Sequence, residues 1–362
     1  MGISKCLFRH LRIAIFTTTV FLVVYSLTYV STFSAKHDEH SSFNTHRRLH
    51  YHRRAQESSS ASTEAIKSFQ ATNATLLVQR EFEAGNEPKR MIFIGDIHGC
   101  IDQFNSLLEE VQYQQGQDQI VLVGDLVAKG PDSIAVVQKA ISIGAWCVRG
   151  NHDDRVIRWR EFLDGPGQGL STDEIASLED AGDLPYDDFK VTKEHYTIAL
   201  NLTTDEFNFL QSFPAIMAPP APYTEWIVVH AGLEANKPIL NQTDDTCWTM
   251  RNVAPTGPTS STKEGVAWFD VWASKMTLVE SLPPNPLASS STSTEENFLN
   301  INFNKLIYGH DASRGLQIHN FTKGLDSRCV YGGNLTAFIL PGEQLVQVGC
   351  IDYDGAVPAD GD

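Results

Sequence analysis

Five short apolar runs in this chain each end on an Asp, Asn or His beside glycine, and few folds accommodate that pattern. Residues 91–94 lead into Gly95-Asp96-Ile97-His98-Gly99, residues 119–123 into Gly124-Asp125, and residues 145–148 toward Gly150-Asn151-His152-Asp153. Residues 226–229 reach His230-Ala231-Gly232, and residues 305–308 reach Gly309-His310. Apolar runs this short, bounded by glycine and polar residues, predict buried strands. Residues 101–111 and 133–143 lie between the first three and carry apolar residues at helical spacing. Strand–helix–strand alternation predicts a parallel sheet with crossover helices. In such sheets, binding and catalytic groups collect where strands end.

The later part of the chain changes character. Residues 226–229, 305–308, 315–318, 328–331, 335–340 and 344–348 read as six short strands with little helix between them, which predicts a second sheet packed against the first. Thr203 and Glu206 form a capping box that opens an amphipathic helix ending before Pro214. Two stretches read as surface insertions: residues 165–188, acidic with several Gly and Pro, and residues 281–297, rich in Pro, Ser and Thr.

The net charge of −16 is unevenly spread. Residues 1–90 hold 12 Lys/Arg against 7 Asp/Glu, and the remainder holds 16 against 37, so the body stands at −21. That argues against a nucleic-acid polymer as partner, which would call for a basic stripe. A phosphate-handling domain of this charge must rely on metals and a few local cations. The six cysteines contain no C-x-x-C pair, which excludes a zinc-ribbon spacing. Cys147 reads as a buried core thiol, and a disulfide among Cys247, Cys329 and Cys350 is left open.

Residues 13–30 form an uncharged run of 18 residues preceded by Lys5, Arg9 and Arg12. The expectation is a signal anchor with a short cytoplasmic tail at residues 1–12, giving a single-pass type II membrane protein. Five N-x-S/T sequons, at Asn73, Asn201, Asn241, Asn320 and Asn334, point the same way, toward a lumenal body in a vacuole or another endomembrane compartment. Residues 31–88, Ser- and His-rich, read as a disordered stem, residues 89–352 as the folded body, and residues 353–362 as an acidic tail.

The residues at the strand ends carry the chemistry. Asp, Asn and His together suit a pair of borderline divalent cations (Zn, Mn, Co or Fe) and disfavour a thiolate site. Glycine beside each ligand lets backbone and metal approach without an intervening Cβ. Each block alone is a common turn, but the five in order resemble the calcineurin-like metallophosphoesterases of the phosphoprotein-phosphatase branch, over about residues 91–352. The resemblance implies an α/β, four-layer sandwich with two central β-sheets flanked by helices. It makes Asp96 and His98 ligands of one metal, Asp125 the bridge to a second, and Asn151, His230 and His310 the remaining ligands. His152, next to a ligand, is the candidate general acid.

Within that family the second block departs from the protein phosphatases, which carry GDxVDRG where this chain has Gly124-Asp125-Leu126-Val127-Ala128-Lys129-Gly130. Ala128 stands in place of the Asp that would orient the catalytic His, and Lys129 in place of a phosphate-binding Arg. Lysine remains a point charge toward phosphate but lacks the bidentate fork. The second block and the tail, with Gly309-His310-Asp311, Arg314-Gly315-Leu316 and Asp326-Ser327-Arg328-Cys329, are similar to the symmetrical diadenosine tetraphosphatases and to a yeast vacuolar endopolyphosphatase. Arg328 stands where that subgroup has Gly. Arg251 is a candidate second phosphate clamp, with a surface salt bridge as its alternative. These observations lead to a phosphohydrolase acting on phosphoanhydrides, with inorganic polyphosphate as the first expected substrate. Dinucleoside tetraphosphate, a phosphoprotein and an inactive membrane-tethered binding protein are the alternatives.

Overall fold

The computed structural model describes residues 63–83, 85, 87–281 and 304–353. The first three apolar runs form β2 (Arg90–Ile94), β3 (Asp118–Leu122) and β4 (Trp146–Cys147), paired in parallel. Helices α1 (Ile101–Glu110) and α2 (Ser133–Ser142) make the crossovers. Asp132 opens α2 by accepting the Ala135 amide at 2.9 Å, which satisfies one free donor of the first turn. The parallel sheet with crossover helices is as the sequence predicts.

The last strands are distributed differently from the expectation. β13 (Asn334–Leu340) and β14 (Gln344–Gly349) join this first sheet, in the order β14-β13-β2-β3-β4, with Phe338 opposite Phe93 in an antiparallel pair. Six of the seven residues of β13 are buried, as a strand between two neighbours should be, whereas β14 is an edge with no buried residue. Residues 328–331 form a turn, not a strand, and it is tied down by the disulfide Cys329–Cys350.

A six-stranded sheet lies against the first. Its order is β1-β5-β6-β10-β12-β11, from β1 (Leu77–Gln79), β5 (Ile216–Ala218), β6 (Trp226–Val229), β10 (Lys305–Tyr308), β11 (Gln317–Ile318) and β12 (Thr322–Gly324), while β7 (Asn252–Ala254), β8 (Gly257–Thr259) and β9 (Val266–Ala267) form a small separate sheet. Alternate residues explain the packing. Met91, Phe93 and Val121 from one sheet meet Met217, Trp226, Val228 and Ile307 from the other in one buried cluster. The residues between them on the second sheet, Ile227, Val229, Leu306 and Tyr308, turn the other way onto Trp268, Trp272 and Met276 of a helix over Trp268–Ser281. That helix was not expected. Its period-3.6 pattern is obscured by aromatic residues and runs into a Pro/Ser/Thr-rich stretch, most of which lies outside the described residues. Each large apolar side chain buried between the sheets contributes on the order of 1.5–3 kcal/mol.

Residues 165–188 are not a bare loop. After α3 (Asn151–Asp164) they hold α4 (Thr172–Ala181), capped by a Ser171–Glu174 box and ended by Gly182 at φ 68°. The segment folds back on α3: Asp188 takes Arg158 and Arg155 at 2.7 and 3.0 Å, and Phe189 stacks on Trp159 with ring centres 3.9 Å apart. Helices α5 (Glu194–Asn201), α6 (Thr204–Gln211) and α7 (Asp244–Thr249) complete the layer and the approach to the site. The α6 capping box is the one predicted at Thr203 and Glu206.

Two sequence expectations need correction. The stem assigned to residues 31–88 contains β1, whose three residues pair in parallel with β5; a run this short and flanked by polar residues gives no strand period to read. The type II membrane placement, with its lumenal vacuolar body, is overturned. Among the described residues no helix is long and apolar enough to cross a membrane. The 14-residue α3 and the 14-residue helix at Trp268–Ser281 would each span only about 21 Å of a hydrocarbon layer of about 30 Å. Residues 13–30, on which that reading stood, lie outside the described residues.

Candidate functional site

The loops after β2, β3 and β10 are sharply turned, and they turn at the chemically active residues. His98, Asp125 and His310 have φ of 47°, 52° and 67°, a left-handed conformation that non-glycine residues seldom adopt. The turns hold one another: the Ile97 and His98 amides both donate to the Asp125 carbonyl, at 3.2 and 2.9 Å. The result is a buried set of polar side chains at the ends of strands from both sheets.

Asp125 is the centre. Its Oδ2 lies 3.6 Å from His98 Nε2 on one side and 3.3 Å from His230 Nε2 on the other. Its Oδ1 accepts the His152 amide at 2.9 Å, from the first turn of α3, where the helix end favours a negative charge. Burial pushes the Asp125 carboxyl up, but His230, His152 and His98 outweigh it and hold it well below the usual carboxylate range. Asn151 Oδ1 stands 3.1 Å from both His230 Nε2 and His310 Nδ1. Two groups therefore have the spacing to hold a cation each and share Asp125: one with His98 and His152, the other with His230 and His310.

The donor chemistry fits metals. The other ring nitrogen of each candidate ligand faces a backbone carbonyl: His98 Nδ1 to Val127 at 3.1 Å, His230 Nδ1 to Val123 at 2.8 Å, and His310 Nε2 to Thr249 at 3.1 Å. An imidazole donating there presents its free nitrogen to the cluster, the arrangement by which proteins fix a metal-binding histidine. Burial pushes His98 down to about 4 and His310 well below its ordinary value, which favours the neutral imidazole a metal requires. Burial also lowers His230, but Asp125 and Asp96 lift it to about 9, a measure of how strongly the carboxylates call for positive charge.

Asp96 belongs to the same wall. Both its oxygens lie 3.0–3.2 Å from the His310 amide, and burial together with Asp326 and Asp125 pushes its carboxyl well above the usual range. It is not a member of either three-residue group. Gly309 sets its position: a Cβ there would meet Asp96 Oδ1 at 2.0 Å and Val123 Cγ2 at 2.8 Å. Gly309→Ala is expected to displace Asp96 and the His310 turn, lowering metal content and activity together by about 10–100-fold; metal analysis beside rate measurement checks it.

Lys129 and Arg251 behave differently from each other. Lys129, at φ 68°, donates its backbone N–H to Glu194 at 3.1 Å, and its Nζ donates to the Tyr331 hydroxyl at 3.0 Å. Its charge reaches His98 and His152, whose protonation it disfavours after burial. Arg251 is 4% exposed, which rules out a surface salt bridge. It donates to the His310 carbonyl at 3.0 Å and lies 3.8 Å from Asp311, so it braces the His310 turn. Arg328, where the subgroup has Gly, takes the glycine-like φ of 67° and donates to the carbonyls of Ala312 and Ser313.

Several participants were not singled out from sequence. Asp153 is fully buried and accepts the amides of Asp125, Leu126 and Gly150 at 2.8, 3.0 and 3.1 Å, joining the Asp125 turn to the start of α3. Its place in Gly150-Asn151-His152-Asp153 was the available signal. Burial raises Asp326 to about 6, and its negative charge is felt at Asp96. His195 lies 2.8 Å from His152 through Nε2 and Nδ1, and no motif marks it. Beside Asn151 and Thr249 opens a cavity of about 780 Å³, whose lining includes Asp154, Asp188, Asp244, Asp245, Arg158 and Trp248.

A two-sheet α/β sandwich with Asp, Asn and His gathered at its strand ends is the architecture of a metal-dependent phosphoesterase. The chain belongs to the calcineurin-like phosphoesterase family, whose model matches residues 89–314, and it is a hydrolase. It is 26% identical over 273 residues to a symmetrical bis(5′-nucleosyl)-tetraphosphatase of Janthinobacterium sp. (strain Marseille), covering 71% of this chain and 95% of the relative. A relative of the same name from Serratia proteamaculans (strain 568) is 50% identical over 92 residues, covering 25% of this chain and 31% of the relative. A crystal structure assigned to a diadenosine tetraphosphatase superposes with a TM-score of 0.55 at 30% identity, over 77% of this chain and 99% of that one.

Proposed function

We propose that this protein hydrolyses the phosphoanhydride bonds of dinucleoside polyphosphates at a two-metal centre. Asp96 and His98 would hold one ion, Asn151, His230 and His310 the other, and Asp125 would be shared between them. When bound, such a pair would supply Lewis acidity toward water and the phosphoryl oxygens. Asp125 and its hydrogen bond from the His152 amide fix the spacing of the two halves. His152 presents a ring nitrogen for the proton that the departing oxygen requires. Lys129 adds a cation that can meet a phosphate oxygen without the fork of an arginine.

One observation favours dinucleotides over the polyphosphate first expected. The cavity beside Asn151 is lined by four aspartates against Arg155 and Arg158, and those two arginines are already paired with Asp188. An acidic pocket with Trp248 and Tyr186 on its wall repels a further run of phosphates. It suits a ribose and base, which offer hydroxyl and amino donors and a stacking face. Relatives named symmetrical tetraphosphatases point the same way.

The test is a panel: purified chain with diadenosine tetraphosphate, long-chain polyphosphate and a phosphopeptide, each with Mn, Zn, Co and Fe(II). The expected result is cleavage of the dinucleotide to ADP alone, as splitting at the middle anhydride requires. Shortening of polyphosphate without dinucleotide turnover would refute the reading, and ATP with AMP as products would refute the symmetrical cut.

A further inference from the structure

We propose that His195 is the positioning residue for His152, taking over the task left vacant where Ala128 replaces an orienting Asp. The inference rests on the reading of His152 as general acid. His152 Nδ1 and His195 Nε2 are 2.8 Å apart, with ring planes only 20° from parallel. One ring must donate and the other accept. In either sense His152 Nδ1 is engaged by His195, and Nε2 is the nitrogen left for the group it forms with His98 and Asp125. A histidine ring fixed at one nitrogen cannot turn over about its Cβ–Cγ bond, so the hydrogen bond selects the atom that faces the reaction.

The surroundings make His195 a firm support. The two residues are 3% and 2% exposed, so water does not compete for the bond. Among the described residues His195 Nδ1 has no hydrogen-bond partner, so its contact to His152 is the ring's one polar attachment there. Residue 195 sits in the first turn of α5, and the helix is anchored from both sides. Glu194 accepts the Lys129 amide, and Tyr196 packs edge-on against Trp159 of α3 with ring centres 5.0 Å apart. The same helix start thus holds the Ala128-Lys129 turn and the ring of the acid. It comes from the segment after the insertion and not from the second motif block.

The experiment compares full-length wild type, His195→Phe, His195→Gln, His152→Ala and the His152→Ala/His195→Phe double variant. The substrate is whichever of diadenosine tetraphosphate and phenyl phosphate turns over faster; p-nitrophenyl phosphate is left out because its leaving group needs little protonation. Phe preserves ring volume without a hydrogen bond, and Gln places an amide near the position of Nε2. His195→Phe is expected to lower kcat by about 10–100-fold with KM and bound metal little changed, the range for a lost outer partner of a site histidine. His195→Gln should recover most of that loss. In the His152→Ala background, His195→Phe should cost nothing further, since two residues acting as a unit are not additive. Gln no better than Phe, an undiminished penalty in the His152→Ala background, or loss of metal from both His195 variants would each overturn the proposal. If His195→Phe does not fold, the cycle is closed with His195→Gln, whose effect must also vanish when His152 is Ala. A His152→Ala variant as active as wild type would instead sink the acid assignment beneath it.

Discussion

Asp125→Asn is expected to abolish most of the activity and to release bound metal, by more than the about 10–100-fold typical of losing an outer partner of a metal ligand. The substitution keeps size and one oxygen but removes the only carboxylate placed within 3.6 Å of both His98 Nε2 and His230 Nε2 among the described residues. Its charge serves both halves of the site, so its loss weakens both together. Its Oδ1 also accepts the His152 amide, and an amide oxygen can still do so, which keeps the start of α3 in place. The variant should therefore fold. Metal analysis gives the first readout, and melting with and without added Mn or Zn gives the second. A bound ion raises the melting temperature of wild type by mass action, and it should do so far less in Asp125→Asn. A variant that retains two ions at wild-type occupancy would show that Asp125 does not bridge them.

The parts of this molecule that were legible in the sequence are those where local pattern and chemistry coincide. β2, β3 and β4 are short apolar runs closed by glycine, and the residues just beyond them are Asp, His and Asn, so strand ends and candidate ligands could be read together. The family was readable for the same reason, because its residues are local blocks. What could not be read depends on pairing at a distance. β13 looks like any strand of the later series, and only its register with β2, Phe338 against Phe93, puts it in the first sheet. β1 is three residues long and gains its identity from β5. Arg251 carries no sequence mark that separates a phosphate clamp from a brace, and its 4% exposure and its bond to the His310 carbonyl make the distinction. His195 is a further case: it lies 43 residues from His152 in the chain and meets it only because α5 packs on α3.

His152→Ala is expected to keep its metals and lose roughly 10²–10⁴ in rate, the range for removing a general acid. The alternative deserves an argument, since His152 also lies within reach of His98 and Asp125 as a third donor. Two observations favour the acid. Its Nδ1 is committed to another imidazole, His195, and not to the backbone carbonyl that His98, His230 and His310 each meet. Asn151, the residue before it on the same helix turn, already faces His230 and His310 through Oδ1, and successive helix positions diverge by about 100°. The acid role also makes a demand that a structural role does not. The penalty for His152→Ala should be largest when the departing oxygen is basic, as with phenyl phosphate. It should shrink with p-nitrophenyl phosphate, whose leaving group needs little protonation. Equal losses on the two esters, with metal retained, would leave the His152 ring as packing against His98 and nothing more, since alanine keeps the amide that Asp125 accepts. Loss of the ions would move it among the ligands.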